Sequence, residues 1–349
     1  MNTNAPFAVK DEVTDLINNI KSVIYIDNRK LEYLIAANIA GGHVILADSH
    51  GVGKTSLARA LAGSIDWKRN AANSDATTVV PTNGRGASTN PNGSGVGDVV
   101  PMDDFSRIQC TVDLLPQDIL GYNRIVGSSH ELLFHRGPIF AHFVLCDEIN
   151  LLTPKTQGSF FQAMEEQNVT VEGRTLLLSD PFFIIATMNL KGAHLFPLPA
   201  PQLDRFMIQL SMGFPGEADE AEIVRQHGRT DSWKHFGPVI GFERILQWKE
   251  LVDSVAISPE VIDYIVACVR HTREHPEVLM GASPRTGVKV SRLARAVSLV
   301  RGEDYVTIDT IKEILSPAMS HRLVMKNPAQ PAQPVVEEIL NTVPVERRP

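Results

Sequence analysis

The 349-residue chain is poor in cysteine, lacks basic clusters and contains no long apolar run. Its three cysteines, Cys110, Cys146 and Cys268, stand alone in or beside apolar stretches. No C-x-x-C spacing is present, so a zinc cluster or a disulfide framework is not expected, and each reads as a small core residue. No apolar run reaches the roughly 20 residues that a membrane-spanning helix needs. The first residues, MNTNAPFAVKDEV, show no leader pattern, which makes the cytoplasm the expected location. The 33 Lys and Arg are dispersed among 40 Asp and Glu, giving a net charge of −7. A duplex-binding protein would usually show a basic patch, so nucleic acid is not the expected partner. The N-x-[ST] triplets at Asn92 and Asn168 then carry no glycosylation meaning.

What is present is an ordinary globular composition, 43% hydrophobic and 21% charged. The length supports one large core and a smaller second domain. Residues 43–57 read HVILADSHGVGKTSL: an apolar run, a glycine-bearing turn, Lys-Thr, then a helical pattern. Strand before and helix after is the context of a phosphate-binding loop. Backbone N–H groups of a turn built on Gly51 and Gly53 can wrap a phosphate, and the helix starting near Thr55 aims its positive end at the same anion. Lys54 can reach the β- and γ-phosphates, and the Thr55 hydroxyl can ligate Mg²⁺. The nucleotide-contacting stretch is expected to comprise His50, Gly51, Val52, Gly53, Lys54, Thr55 and Ser56. One departure is visible, because the pattern G-x-x-x-x-G-K-[ST] wants glycine where Asp48 stands.

Downstream, FVLCDE (143–148) is an apolar strand ending in paired carboxylates. Alone it could equally be a buried strand whose acidic end caps the next helix. Behind a phosphate-binding loop it suggests that Asp147 holds Mg²⁺ through a water and Glu148 polarises the attacking water. A second buried strand, FFIIATMN (182–189), ends in Asn189, whose amide could face the γ-phosphate or the attacking water. A plain strand-end turn is the other reading of that Asn.

The stretches DLLPQDILG (113–121), GPIFAHFVLCDEINLLTPKTQGSFFQAMEEQNVTVEG (137–173), ATMN (186–189), LPAPQLDRF (198–206) and GASPR (281–285) resemble the MoxR family, AAA+ ATPases of the helix-2-insert clade. The resemblance covers most of residues 13–325 in the right order. It implies that Lys54 and Thr55 belong to Walker A, Asp147 and Glu148 to Walker B, and Asn189 to sensor 1. By the same resemblance Arg205 in LDRF is the arginine finger and Arg285 in SPR is sensor 2. His50 replaces a usual proline and places a titratable group near the phosphates, and Leu151 stands where the family often has arginine.

The implied fold is α/β: a P-loop AAA+ core with a five-stranded parallel sheet of order 5-1-4-3-2, plus a smaller all-α lid. Residues 1–215 are expected to form the core, 216–326 the lid and 327–349 a Pro-rich tail. Within the core, 66–104 is rich in Asn, Ser, Thr, Gly and Pro and is expected to be a mobile surface insertion, because such a segment buries too little apolar surface to offset its ordering entropy. Residues 113–139 match the helix-2 insert of that clade. His130 and His135 lie in or near it without metal-ligand spacing. Glu172-Gly173 has the character of a hairpin turn. In SPRTGVKVSRLARAV, Arg285, Lys289 and Arg292 fall on one helix face, with Arg285 expected at the γ-phosphate and the other two at the surface.

The resemblance implies ATP as substrate, Mg²⁺ as cofactor, and a homo-oligomer, a hexameric ring, because a finger from one subunit would serve the next. It further implies chaperone-like remodelling or activation of a protein with a von Willebrand factor A domain. A magnesium-chelatase-like or helicase-like motor of the same clade is an alternative. So is a non-hydrolysing, nucleotide-dependent scaffold.

Overall fold

The structure, a computed structural model, describes residues 5–48, 52–67, 98–126, 131–188, 196, 198–226 and 231–345. His50, Gly51, Asn189, the tip of the 113–139 segment with His130, and most of the expected insertion lie outside the described residues. The chain divides into two compact units, Met1–Asp66 with Leu198–Pro349, and Trp67–Pro197.

The first unit opens with α1 (Ala5–Lys21), α2 (Asn28–Ile39), β1 (Val44–Ala47), α3 (Lys54–Gly63) and the short β2 (Ile65–Asp66). At the start of α2, the Asp27 side chain accepts from the Arg29 N–H and satisfies one of the donors a helix leaves unpaired. Gly41, just past its end, has a φ of +72°, the left-handed geometry that closes a helix and favours glycine. All four residues of β1 are buried, as in a strand covered on both faces.

The second unit runs β3 (Asp98–Val99), β4 (Asp103–Gln109), α4 (Pro116–Leu120), β5 (Gly121–Val126), β6 (Glu131–Arg136), β7 (Ala141–Asp147), α5 (Pro154–Glu166), β8 (Asn168–Val171), β9 (Arg174–Leu177) and β10 (Phe183–Met188). Strand β7 runs parallel to β4 on one side, with Gln109 opposite Asp147, and to β10 on the other, with Ala186 opposite Cys146. Residues 141–146 of β7 are buried without a break, and Phe143 meets the Phe183 ring edge-on at 5.5 Å. Helix α5 starts at Pro154 and buries Phe160, Phe161 and Met164, the helical spacing visible in the sequence. Glu172 and Gly173, with φ of 48° and 80°, form the two-residue turn of the antiparallel β8–β9 hairpin.

The β5–β6 hairpin accepts only glycine at its base. A Cβ on Gly121 would sit 2.2 Å from His135 O, and one on Gly137 would sit 2.1 Å from Ile119 O. The two backbones therefore close together where the hairpin leaves α4 and leads into β7.

The chain then returns to the first unit with α6 (Ala200–Leu203), β11 (Ile208–Leu210), α7 (Glu217–Gln226), α8 (Asp231–Lys234), β12 (Ile240–Gly241), α9 (Phe242–Leu251), α10 (Pro259–Glu274), β13 (Val278–Met280), α11 (Pro284–Val300), α12 (Ile308–Met319), β14 (Val324–Met325) and α13 (Gln333–Thr342). Strand β11 pairs in parallel with β1, Leu210 opposite Leu46. The five core strands are ordered β11-β1-β10-β7-β4. Numbered along the chain this is 5-1-4-3-2, the expected order. The apolar end of the Pro-rich tail packs back, since α13 buries Val335, Val336 and Ile339 and meets α10 and α12.

Arg301 ties three helices together, pairing with Glu32 at 3.1 Å and with Glu313 at 2.9 Å. Tyr33 donates to the same Glu313 at 2.6 Å. The guanidinium hydrogen bond holds the Glu313 carboxyl at about 2, against burial and with help from Tyr33. No helix among the described residues is long and apolar enough to cross a membrane.

Candidate nucleotide-binding and hydrolysis site

In the first unit, β1 delivers the loop and α3 receives it. Gly53 is the N-cap of α3 with φ 84° and ψ 16°, a left-handed geometry that a side chain would strain. Lys54, Thr55 and Ser56 then form the first helical turn, whose N–H groups lack partners within the helix and suit an anion. Lys54 is buried, and its Nζ donates to Asp48 O at 3.0 Å. Val52 and Thr55 are half-buried, and Ser56 is exposed.

The unexpected Asp48 has a structural job. Its Oδ1 accepts from Ser211 Oγ at 2.5 Å and its Oδ2 from Met212 N at 2.6 Å. The carboxylate thus fastens the start of the loop to the residues following β11, so the glycine position carries a tie instead of a turn.

In the second unit, β7 ends in Asp147, half-buried, with Glu148 next. Thr187 of β10 is fully buried and makes two bonds at once. Its Oγ1 donates to Asp147 Oδ1 at 2.8 Å and accepts from Glu148 N at 2.8 Å. Arg107 of β4 donates to Asp147 Oδ2 at 2.6 Å and to Gln109 Oε1 at 2.8 Å. Glu148 has φ 63° and ψ 53°. A non-glycine residue in that region costs about 1–2 kcal/mol, and the Thr187 bond to its N–H helps hold it there. Burial, followed by the nearby Asp147 and Glu148 charges, pushes the Cys110 thiol up to about 12. Cys110 therefore stays protonated at neutral pH and is no nucleophile.

Arg205 sits between α6 and β11, half-buried, and Arg285 lies exposed in the first turn of α11. The residue beside Arg205 connects them. Asp204 accepts from Ser283 Oγ at 3.2 Å and from Thr286 Oγ1 at 3.5 Å, and these two residues flank Arg285. The Ser283 hydroxyl stands at the N-cap position of α11 but makes no cap bond. Lys289 and Arg292, expected at the surface, are anchored instead. Lys289 Nζ donates to the carbonyls of Asp204 and Arg205 at 2.6 Å each, and Arg292 Nε donates to Ala40 O at 2.7 Å. Their long side chains reach backbone carbonyls that a helical face drawn from sequence does not show.

A glycine-capped helix after the first core strand, a strand ending in paired carboxylates and a helical segment after the last core strand are the features of an AAA+ ATPase. Residues 94–208 match the profile of the ATPase family associated with various cellular activities (AAA), and residues 270–343 match the AAA lid domain. The uncharacterized protein YeaC of Bacillus subtilis is 36% identical over 320 residues, 90% of this chain and 89% of its own. Chaperone MoxR1 of Mycobacterium tuberculosis is 28% identical over 94% of this chain and 79% of its own. A crystal structure of a Cytophaga hutchinsonii protein classed as a candidate ATPase covers 99% of this chain and 98% of its own with a TM-score of 0.81, at 24% identity, a likeness of fold. The chain belongs to the MoxR family of AAA+ ATPases.

Four contributors escaped the motif reading: Thr187, Arg107, Asp48 and Asp204. Thr187 left a signal, as a polar residue near the end of an otherwise apolar run. Arg107 left none, because a charged residue in a strand that is exposed along one side reads as solvated.

Proposed function

We propose that this chain hydrolyses ATP at the subunit interfaces of a hexameric ring and uses the energy to remodel or activate a partner protein in the cytoplasm. The observation that carries the reading is the arrangement at the end of β7, where Thr187 holds both the Asp147 carboxylate and the backbone of Glu148. That arrangement fixes a carboxylate that would hold the ion beside the general base at the end of one strand. The oxygen donors of Thr55 and Asp147 are of the kind Mg²⁺ prefers, so these residues would hold the ion, Asp147 through a water. Bound there, Mg²⁺ would neutralise charge on the phosphates.

The chain's own residues divide the rest of the work. Lys54 and the N–H groups from Gly51 to Ser56 bind the phosphates, with His50 and Val52 in the same loop. Glu148 takes a proton from the attacking water, and Asn189 orients that water. Arg285 contacts the γ-phosphate of its own subunit's nucleotide, and Arg205 reaches the nucleotide of the neighbour. Relatives named as a chaperone and as MoxR proteins support a remodelling role. A partner with a von Willebrand factor A domain, moved by the 113–139 segment, is the reading the family resemblance favours.

Three variants separate these roles. Glu148→Gln should keep ATP affinity and lose turnover, and Lys54→Ala should lose ATP affinity. Arg205→Ala should bind ATP and lose about 10³-fold in turnover. Phosphate release and fluorescent-nucleotide titration read both quantities. Wild-type turnover in Arg205→Ala, or equal loss of binding in the other two, would overturn the assignment.

A further inference from the structure

The strip Asp204–Met207 leaves the C-terminal end of α6 and carries Arg205 into β11. A helix end exposes carbonyls without donors, and a cation placed there is favoured. Here four consecutive carbonyls accept from two basic side chains that come much later in the chain. Lys289 takes Asp204 O and Arg205 O at 2.6 Å each. Arg322 takes Phe206 O and, at 3.2 Å, Met207 O. Arg205 itself is therefore flanked on its own backbone by an ammonium that belongs to α11.

Helix α11 also carries Arg285, one turn before Lys289, and the Asp204 carboxylate bonds the two hydroxyls either side of Arg285. An α-helix is stiff along its axis, with 1.5 Å of rise per residue. Any displacement of its first turn carries Lys289 Nζ along, and with it the peptide groups on both sides of Arg205. We infer that Lys289 is a positioning residue for Arg205, setting the finger that one subunit lends to the next according to the state of its own lid helix. The inference rests on the ring reading above, in which Arg205 acts in trans. The two ATP sites that a subunit touches would then be joined by two side-chain contacts, Arg285 to its own nucleotide and Lys289 to the finger backbone.

A mixing experiment tests this. Glu148→Gln subunits bind ATP and retain the finger but cannot hydrolyse, whereas Arg205→Ala subunits can hydrolyse but lack a finger. Their mixture should regain ATPase activity at interfaces where the first type serves the second. Adding Lys289→Met to the Glu148→Gln subunit should lower that activity by roughly 10- to 100-fold, the cost of a finger misplaced by about an ångström. Adding the same change to the Arg205→Ala subunit should leave turnover and KM within about 2-fold, because a subunit without a finger has nothing for Lys289 to position. Lys289→Arg in the donor should restore most of the activity, since it keeps a cation on the same carbonyls. Light scattering and nucleotide titration of each variant establish that assembly and binding persist. Equal loss from both placements, or no loss from the donor placement, overturns the inference. A parent mixture with no activity at all overturns the trans-finger reading itself and removes the inference with it.

Discussion

Asp147 and Asp204 are both partly buried aspartates at the C-terminal end of a regular element, and both gather donors from other elements. The sources of those donors differ. Asp147 takes Thr187 from β10 and Arg107 from β4, the strands that pair with β7 on either side. Asp204 takes Ser283 and Thr286 from α11, 79 and 82 positions away, with Arg322 Nε at 3.5 Å. Sheet register alone brings the first set together, whereas the second exists only once the lid helices have folded against the strip. The Asp147 carboxylate is held by side chains of the two neighbouring strands, and the strip around Arg205 is held by side chains that come much later in the chain.

The largest expected effect breaks the second anchor. The Arg322 side chain is 1% exposed, and burial lowers its pKa to about 10, only partly offset by Asp204. Arg322→Met would strand the carbonyls of Phe206 and Met207, and the side of Asp204 facing it would lose its cation. A loss of about 3–5 kcal/mol in urea unfolding is expected. A loss under 1 kcal/mol would mean that Lys289 holds the strip unaided.

Next in size is the first anchor. Thr187→Val keeps the shape and removes both bonds, leaving the Glu148 N–H without its partner at a cost of about 1–3 kcal/mol. Because the left-handed Glu148 depends on that bond, turnover should fall by about 10- to 100-fold while ATP affinity holds. Turnover close to wild type in Thr187→Val would mean that the turn is fixed by other contacts.

Arg107 is 46% exposed, so its ion pair with Asp147 is screened and worth at most about 1 kcal/mol. It nonetheless occupies one of the two Asp147 carboxylate oxygens, Oδ2. Arg107→Gln should therefore lower the Mg²⁺ concentration for half-maximal nucleotide binding by about 2- to 5-fold, read by fluorescence titration. An unchanged or raised midpoint would show that Arg107 does not compete with the ion.

The smallest effect tests whether lid anchoring depends on pH. Glu313 has a folded pKa of about 2, held below its ordinary 4.5 first by the Arg301 hydrogen bond. Its stabilisation is present above about pH 4.5 and is lost as pH falls towards 2. The carboxylate is partly exposed, so the contribution is on the order of 1 kcal/mol after screening. Glu313→Gln should flatten the acid limb of the stability curve in that window. His321, buried and kept neutral first by desolvation and then by Arg322, should add a separate decline as pH falls below about 6.5. An acid limb identical to wild type in Glu313→Gln would place the dependence elsewhere.

The amino-acid sequence by itself marked the strands, the glycine before α3, the carboxylate pair at 147–148 and the helices after β11, while the strand order came through the family resemblance. Each is written in local terms: apolar runs of strand length, glycine where a left-handed turn is needed, and helical spacing after Pro154, Pro259 and Pro284. It also marked Arg205 and Arg285, though only through the family's motifs. Tertiary structure alone decided which polar groups meet. Thr187 lies 40 residues from Asp147, and Lys289 lies 84 from Arg205. Hydrogen bonds at that separation are set by register and helix packing, which no local pattern encodes. For the same reason Asp48 reads as a flaw in a motif until Ser211 and Met212 are seen to bond it, and Lys289 reads as a solvated charge until its ammonium is found on two carbonyls.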